Sequence, residues 1–331
     1  MMRDVVAAVG VLGCLCVAMC LLGGCEAPTP DSLKRNAPKV AIPQAVRTAV
    51  AKQLDKAPTD VTLEDLAGVR ELNLVGEDVD DLSFAAHMPK LRILDLRFTR
   101  VSDLSPLVGL EDLWWLSVES SRVTDISPLK EVPHLTKLFL TDTKVSDLGP
   151  LKGLVHLRSL SIEGTEVSNL EPITGLSDLW YFWCDRTEVR SIAPLSGMKK
   201  LEKLGLSETG ISDINPLAGK ALLSELNLYS APVRDLTPLA ECRNLEVLDL
   251  GRTGVSDLTP LRSLVCLRSL SLGRTAITTL ESLSSLKKLE YLDIVFTKVG
   301  DLKPISDLPK LKDVRLFGTS AAARGAVWPK E

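Results

Sequence analysis

The sequence predicts an α/β solenoid: a curved stack of short units, with a parallel β-sheet on the concave face and 3₁₀ or short helical turns on the convex face. Three observations lead there. A leucine-rich motif returns every 22 residues, anchored at Val69, Leu91, Leu113, Leu135, Leu157, Leu179, Leu201, Leu223, Leu245, Leu267, Leu289 and Leu311, with no insertion or deletion across the twelve units. A short fixed period describes units that bury their apolar side only by stacking on their neighbours. Within a unit, Ile93-Leu94-Asp95-Leu96-Arg97 alternates with the period of two that marks a strand. After a turn at Thr99, Asp103 and Ser105 are placed to cap a short helix whose first position is Pro106, and Leu104, Leu107 and Leu110 return to the core. Such a back is wider than the strand spacing of about 4.8 Å, so the stack curves, and twelve strands line about 50 Å.

The repeats occupy 69–319 and are preceded by three segments of different character. Arg3 and the apolar run Val5 to Leu22 read as an export signal over 1–24. The run ends in Leu22-Gly23-Gly24-Cys25, which resembles a bacterial lipoprotein lipobox. That resemblance implies cleavage before Cys25, a lipid on its sulfur, and a membrane-anchored location in the cell envelope, periplasmic or at the cell surface. An ordinary signal peptide or a short membrane anchor is the alternative. Residues 25–41, with Pro28, Pro30 and Pro38, read as a tether. From 42 to 68 the spacing of Ile42, Ala45, Val46, Ala49, Val50 and Leu54 is helical, with Pro43 near the start, and Thr62 with Asp65 forms a capping-box pattern. A helical cap here covers the apolar end that a terminal repeat otherwise exposes. Residues 320–331 are expected to form a minimal C-terminal cap, and no appended catalytic domain is expected after them.

The repeated phrase Val-Ser-Asp-Leu-x-Pro-Leu, at Val101, Val145 and Val255, resembles the internalin-type leucine-rich repeat of bacteria. The resemblance covers about residues 61–319. It implies the curved horseshoe and a binding role, and leaves the partner open. One departure is the turn column, which is mostly threonine (Thr99, Thr143, Thr165, Thr187, Thr209, Thr253, Thr275, Thr297, Thr319) where the family often has asparagine.

Composition excludes several functions. A formal charge of −4 over 331 residues, with no basic stripe, argues against a nucleic-acid partner. Four of the seven cysteines, Cys14, Cys16, Cys20 and Cys25, belong to the export signal and its cleavage site, and Cys184, Cys242 and Cys266 do not form a disulfide framework. Only three histidines occur. His134 and His156 share a column in adjacent units, but the next rungs hold Lys200 and Leu222, so a variable loop column is favoured over a zinc site. The recurring aspartates (Asp103, Asp125, Asp147, Asp213, Asp235, Asp257) read as turn caps rather than acid–base catalysts. No nucleophile–base pair, phosphate loop or Cys-x-x-Cys appears, so neither an enzyme nor a cofactor is expected.

Function is therefore sought on the outward-facing strand columns. Aromatics make up 4% of the chain, yet Trp115, Phe139, Tyr181 and Trp183 fall on concave columns of units three to six, with Trp114 and Trp180 one column earlier. Ser159 and Ser161 lie between them. Strand spacing sets Trp115 and Trp183 about 14 Å apart, which describes a trough with a small-residue floor and aromatic walls. Glu163 and Asp185 edge it, and Tyr229 is assigned to the same patch. Exposed aromatics of this kind dominate binding hot spots. A protein or peptide ligand is expected there. A glycan is the alternative, because flat rings also stack on sugars, and a structural spacer without a specific ligand is a third reading.

Overall fold

A computed structural model describes residues 41–326 and Trp328. Cys25, the export segment and the tether residues before 41 lie outside the described residues. The order of elements is α1 (Gln44–Leu54), a 3₁₀ turn (Pro58–Asp60), α2 (Leu63–Leu66), and then twelve strand-and-turn units. The strands are β1 (Glu71–Asn73), β2 (Ile93–Asp95), β3 (Trp115–Ser117), β4 (Lys137–Phe139), β5 (Ser159–Ser161), β6 (Tyr181–Trp183), β7 (Lys203–Gly205), β8 (Glu225–Asn227), β9 (Val247–Asp249), β10 (Ser269–Ser271), β11 (Tyr291–Asp293) and β12 (Asp313–Arg315). They form one open parallel sheet in sequence order, each residue paired with the residue 22 positions on. The invariant repeat length produces this register, because every unit adds the same rise and the same rotation. The result is a curved leucine-rich repeat solenoid. Its core is the stack of buried, mostly leucine columns, such as Leu94, Leu96 and Leu107 with their equivalents in nearly every unit.

The backs are 3₁₀ turns. In the unit of β2 the turn spans Ser105–Leu107, so Ser105 is its first residue and Pro106 its second, one position later than the sequence reading placed it. In most units an aspartate two residues before the turn accepts the N–H of the turn's first residue, and Asn169, Ser191 and Thr279 take that place in three others. Asp103 does so with Ser105 at 2.8 Å, Asp147 with Gly149 at 2.7 Å, Asp213 with Asn215 at 2.9 Å and Asp257 with Thr259 at 2.8 Å. These bonds, with those from the neighbouring hydroxyls, hold the carboxyls of Asp103, Asp125, Asp235 and Asp257 below the usual range. That is capping chemistry.

The threonine column satisfies carbonyls inside its own unit. Thr99, Thr143, Thr165 and Thr253 donate Oγ1–H to the carbonyls of Leu96, Leu140, Ile162 and Leu250 at 2.6–2.7 Å, and the later threonines repeat the pattern. A hydroxyl is enough here because the acceptor lies three residues back on the same turn. Thr253→Val, which keeps the volume and removes the donor, is expected to cost about 1 kcal/mol in denaturant unfolding.

The residue before the threonine column has positive φ in all twelve units, including the three where Glu77, Ser121 and Ala231 replace the threonine. Gly76, Gly164 and Gly318 share this column with Phe98, Ser120, Asp142, Arg186, Glu208, Ser230, Arg252, Arg274 and Phe296, at φ between 52° and 73°. A non-glycine residue in this region is strained. The strain is borne because these N–H groups donate to the next unit, as Phe98 does to Glu119 and Asp142 to Glu163.

At the N-terminal end α1 lies against β1, with Ile42, Val46, Val50 and Ala51 buried and Gln53 Nε2 donating to the carbonyl of Glu71 at 2.8 Å. Leu54, expected on the buried face, is exposed, because the chain leaves the helix at left-handed Asp55. Thr62 and Asp65 make both bonds of a capping box on α2. At the other end Ala321 is buried and Trp328 Nε1 donates to the carbonyl of Lys312 at 3.3 Å. Cys184 and Cys242 are free and buried, Cys266 free and half-buried. Burial pushes the Cys184 thiol up to about 12, so it packs as a small hydrophobe. Among the described helices none is long and apolar enough to cross a membrane.

Candidate concave binding surface

The strand register brings the sequence-predicted aromatics together as two pairs. Trp115, Lys137, Ser159 and Tyr181 occupy one row across β3 to β6, and Ser117, Phe139, Ser161 and Trp183 the next row. Trp115 and Phe139 meet diagonally at 5.5 Å between ring centroids, tilted by 48°. Tyr181 and Trp183 meet along β6 at 5.8 Å. All four rings are half-buried. The serines between them are deeper than expected, 3% exposed at Ser159 and 5% at Ser161. Curvature crowds the middle of a concave sheet, so the floor is present but narrow, and Ser161 is further tied to Thr141 at 2.7 Å between hydroxyl oxygens. Ser117, in the same row, is buried with a hydroxyl that has no partner among the described residues.

The lip tryptophans carry cations of the same chain. Lys137 Nζ lies 5.8 Å from the ring centre of Trp114, and the Arg158 guanidinium 5.3 Å from that of Trp180. These contacts hold two basic side chains at the trough edge and leave the inner rings free.

The carboxylates are more committed than the sequence suggested. Glu163 and Asp142 both accept from Arg186, at 3.1 and 3.0 Å. The pair spans Gly164, whose positive φ favours glycine and where any Cβ would collide with the Asp142 carboxylate. Asp185 is 6% exposed. Its Oδ1 accepts from the Ser207 N–H at 2.8 Å, the Ser207 hydroxyl at 2.5 Å and Asn227 Nδ2 at 3.4 Å, and its other oxygen leans over Gly205. Burial raises the Glu119 carboxyl above its usual range. Arg97 opposes that shift, and Asp95, Glu163 and Asp142 reinforce it. At the edge Glu163 and Asp185 are thus held in a preorganised charge network.

Tyr229 does not join the trough. It lies on the unit of β8 beneath the Arg252 guanidinium, 5.7 Å from its ring centre, and belongs to a separate cluster toward the C-terminal end. His134 and His156 are both exposed, and no group of three or more metal-ligating side chains is assembled among the described residues. Two clefts of about 480 and 550 Å³ lie elsewhere, one between α1 and the first unit around Gln53 and Glu77, the other on the turn side around Lys130 and His134. The trough itself is open.

Sequence reasoning missed two features. The positive-φ column was signalled only by three of its twelve positions being glycine. Lys220 sits in a core column beside Met198 and Cys242 and is fully buried, with Nζ donating to the carbonyls of Leu195 at 2.7 Å and Met198 at 3.0 Å. Its desolvation lowers the pKa to about 8.

Repeat, register and solenoid together make this chain a leucine-rich repeat protein. No family profile matches it, and no curated relative is found. Among solved structures it is similar to an internalin of Listeria monocytogenes, at 28% identity over 83% of this chain and 82% of that one, with a TM-score of 0.79. Internalin C2 of the same organism matches at 27% identity over 69% of this chain and 92% of that one, with a TM-score of 0.57. A plant peptide hormone receptor, in complex with RGF2, matches at 15% identity over 76% of this chain and 51% of that one, with a TM-score of 0.61. At that identity the likeness is one of fold.

Proposed function

We propose that this chain is an envelope-anchored binding module whose concave trough takes a protein or peptide partner on Trp115, Phe139, Tyr181 and Trp183, with Trp114 and Trp180 at the lip. The observation that carries this reading is the pair of half-buried ring contacts flanking Ser159 and Ser161 on rigid, in-register strands. Rigid aromatic anchors on an open surface suit a macromolecular partner, whereas small ligands favour enclosed pockets. The plant peptide hormone receptor is consistent with a polypeptide ligand for the fold. A glycan fits less well, because Glu163 and Asp185, the carboxylates beside the rings, are taken up by Arg186, Ser207 and Asn227. The sequence Leu22-Gly23-Gly24-Cys25 supports export, lipidation at Cys25 and a place in the cell envelope.

The test compares the full chain with a Trp115→Ala plus Trp183→Ala variant in partner capture from native membranes. The variant is expected to lose about 1–2 kcal/mol of stability from the broken ring contacts and to lose its partner. Soluble glycans should not compete. A partner retained by the variant places the site elsewhere, and displacement by a glycan favours the sugar reading.

A further inference from the structure

A second cluster lies beyond the trough, on units eight to twelve, and involves none of its residues. Arg252 and Arg274 occupy neighbouring rungs of the positive-φ column. Each guanidinium is held against a ring, Arg252 at 5.7 Å from the centre of Tyr229 and Arg274 at 4.3 Å from that of Phe296. Phe296 in turn meets Phe317 edge-on at 5.3 Å.

Arg252 and Arg274 differ from Arg186, which stands in the same column three units earlier and is closed by Asp142 and Glu163. Among the described residues neither Arg252 nor Arg274 has a carboxylate within ion-pair distance, and both are exposed. The nearby acids are engaged otherwise. Asp249 accepts the Gly251 N–H at 2.8 Å, and Asp293 accepts the Val295 N–H at 2.9 Å and pairs with Arg315 at 3.5 Å. The column beside the arginines is Gly251 and Gly273, both buried, where a Cβ would crowd Tyr229 and Asp249 or Val295 and Asp293. At the far end Phe317 is 73% exposed and Phe296 45% exposed, the large apolar surface this end leaves to solvent.

We propose that this strip is a second binding surface, for an extended acidic segment of a partner polypeptide. Two carboxylates would meet Arg252 and Arg274, and an apolar side chain would lie on Phe296 and Phe317. Charge complementarity selects the occupant: the strip offers two oriented, unpaired guanidiniums, and a stacked guanidinium keeps its in-plane donors free for a carboxylate. Dimensions agree. Five rungs from Tyr229 to Phe317, four strand spacings, span about 19 Å, the length of about six extended residues. Exposed aromatic patches of this kind mark interaction sites.

The test uses the full chain and a fluorescent peptide of four glutamates followed by phenylalanine and glycine, read by anisotropy at low salt. Three comparisons accompany it: the same peptide with lysine for glutamate, a single-stranded oligonucleotide, and thermal melting of each variant. Arg252→Gln plus Arg274→Gln is expected to weaken the acidic peptide at least tenfold without shifting the melt, and Phe317→Ala to weaken it severalfold. Trp115→Ala plus Trp183→Ala should leave this binding unchanged, which separates it from the trough. Added salt should weaken it. The proposal is overturned if the arginine variant binds as well as wild type, if the lysine peptide binds equally, if the oligonucleotide binds more tightly than the peptide, or if the acidic peptide does not bind.

Discussion

Replacing Phe182 by alanine is expected to cost about 3–5 kcal/mol and to abolish partner binding at the trough. Phe182 is fully buried at the centre of β6, in a column that holds leucine in the neighbouring units at Leu138, Leu160, Leu204 and Leu226. Tyr181 and Trp183 flank it and face the other way. The ring fills space that no neighbour can enter, because the 22-residue register fixes the strands on both sides. Its loss leaves a cavity directly beneath the Tyr181–Trp183 pair. Phe182→Leu restores the usual occupant of the column, and is expected to cost about 1 kcal/mol and to keep binding. Urea unfolding of wild type and both variants checks this. A cost below about 1 kcal/mol for the alanine variant would show that β6 is not held by this packing.

The second large effect is a pH dependence centred on Lys220. Folding lowers its pKa from the ordinary 10.5 to about 8, because burial disfavours the charged ammonium. Between pH 8 and 10.5 the unfolded chain therefore binds the proton more strongly than the folded one, and stability rises with pH across that window. Below pH 8 both states are protonated and the full penalty applies. The shift corresponds to as much as about 3 kcal/mol. Met88 and Met198 occupy the same column and are buried, so Lys220→Met fits the space and removes the titration. At pH 7 the variant is expected to be at least as stable as wild type. The two bonds it loses, to Leu195 and Met198, are set against relief of the desolvation. On raising the pH to 10.5, the difference between the two proteins should move by up to about 3 kcal/mol in favour of wild type. A difference that stays flat with pH would mean that the ammonium reaches water.

The fold was legible because its determinants are periodic. The leucine columns, the strand alternation and the aspartate caps each repeat in nearly every unit, so one misplaced residue hardly matters. The aromatic trough was legible for a related reason: a fixed register turns sequence position directly into a place on the sheet, so Trp115, Phe139, Tyr181 and Trp183 could be placed before any coordinate was known. What the sequence did not reveal depends on side-chain direction. Column assignment places Glu163 and Asp185 beside the trough, but only the structure shows their oxygens turned toward Arg186 and Ser207. The same limit put Tyr229 with the tryptophans when its ring lies under Arg252. Positive φ at Arg186, Arg252 and Arg274 left no compositional trace, because the inter-unit hydrogen bonds of the backbone, rather than a preference of the side chain, hold it there. Leu54 was misplaced because helical periodicity continues past the point where Asp55 turns the chain away.

The central claim is that the concave aromatic face is where a partner sits, and photocrosslinking tests it most directly. The photoreactive residue benzoylphenylalanine would replace Phe139, which keeps a ring in the trough, or Val265, which is exposed on the turn leading into β10. Each full-length protein would be irradiated in its native membranes. A discrete partner adduct from position 139 and none from position 265 is the result this account predicts; an adduct from position 265 alone would contradict it.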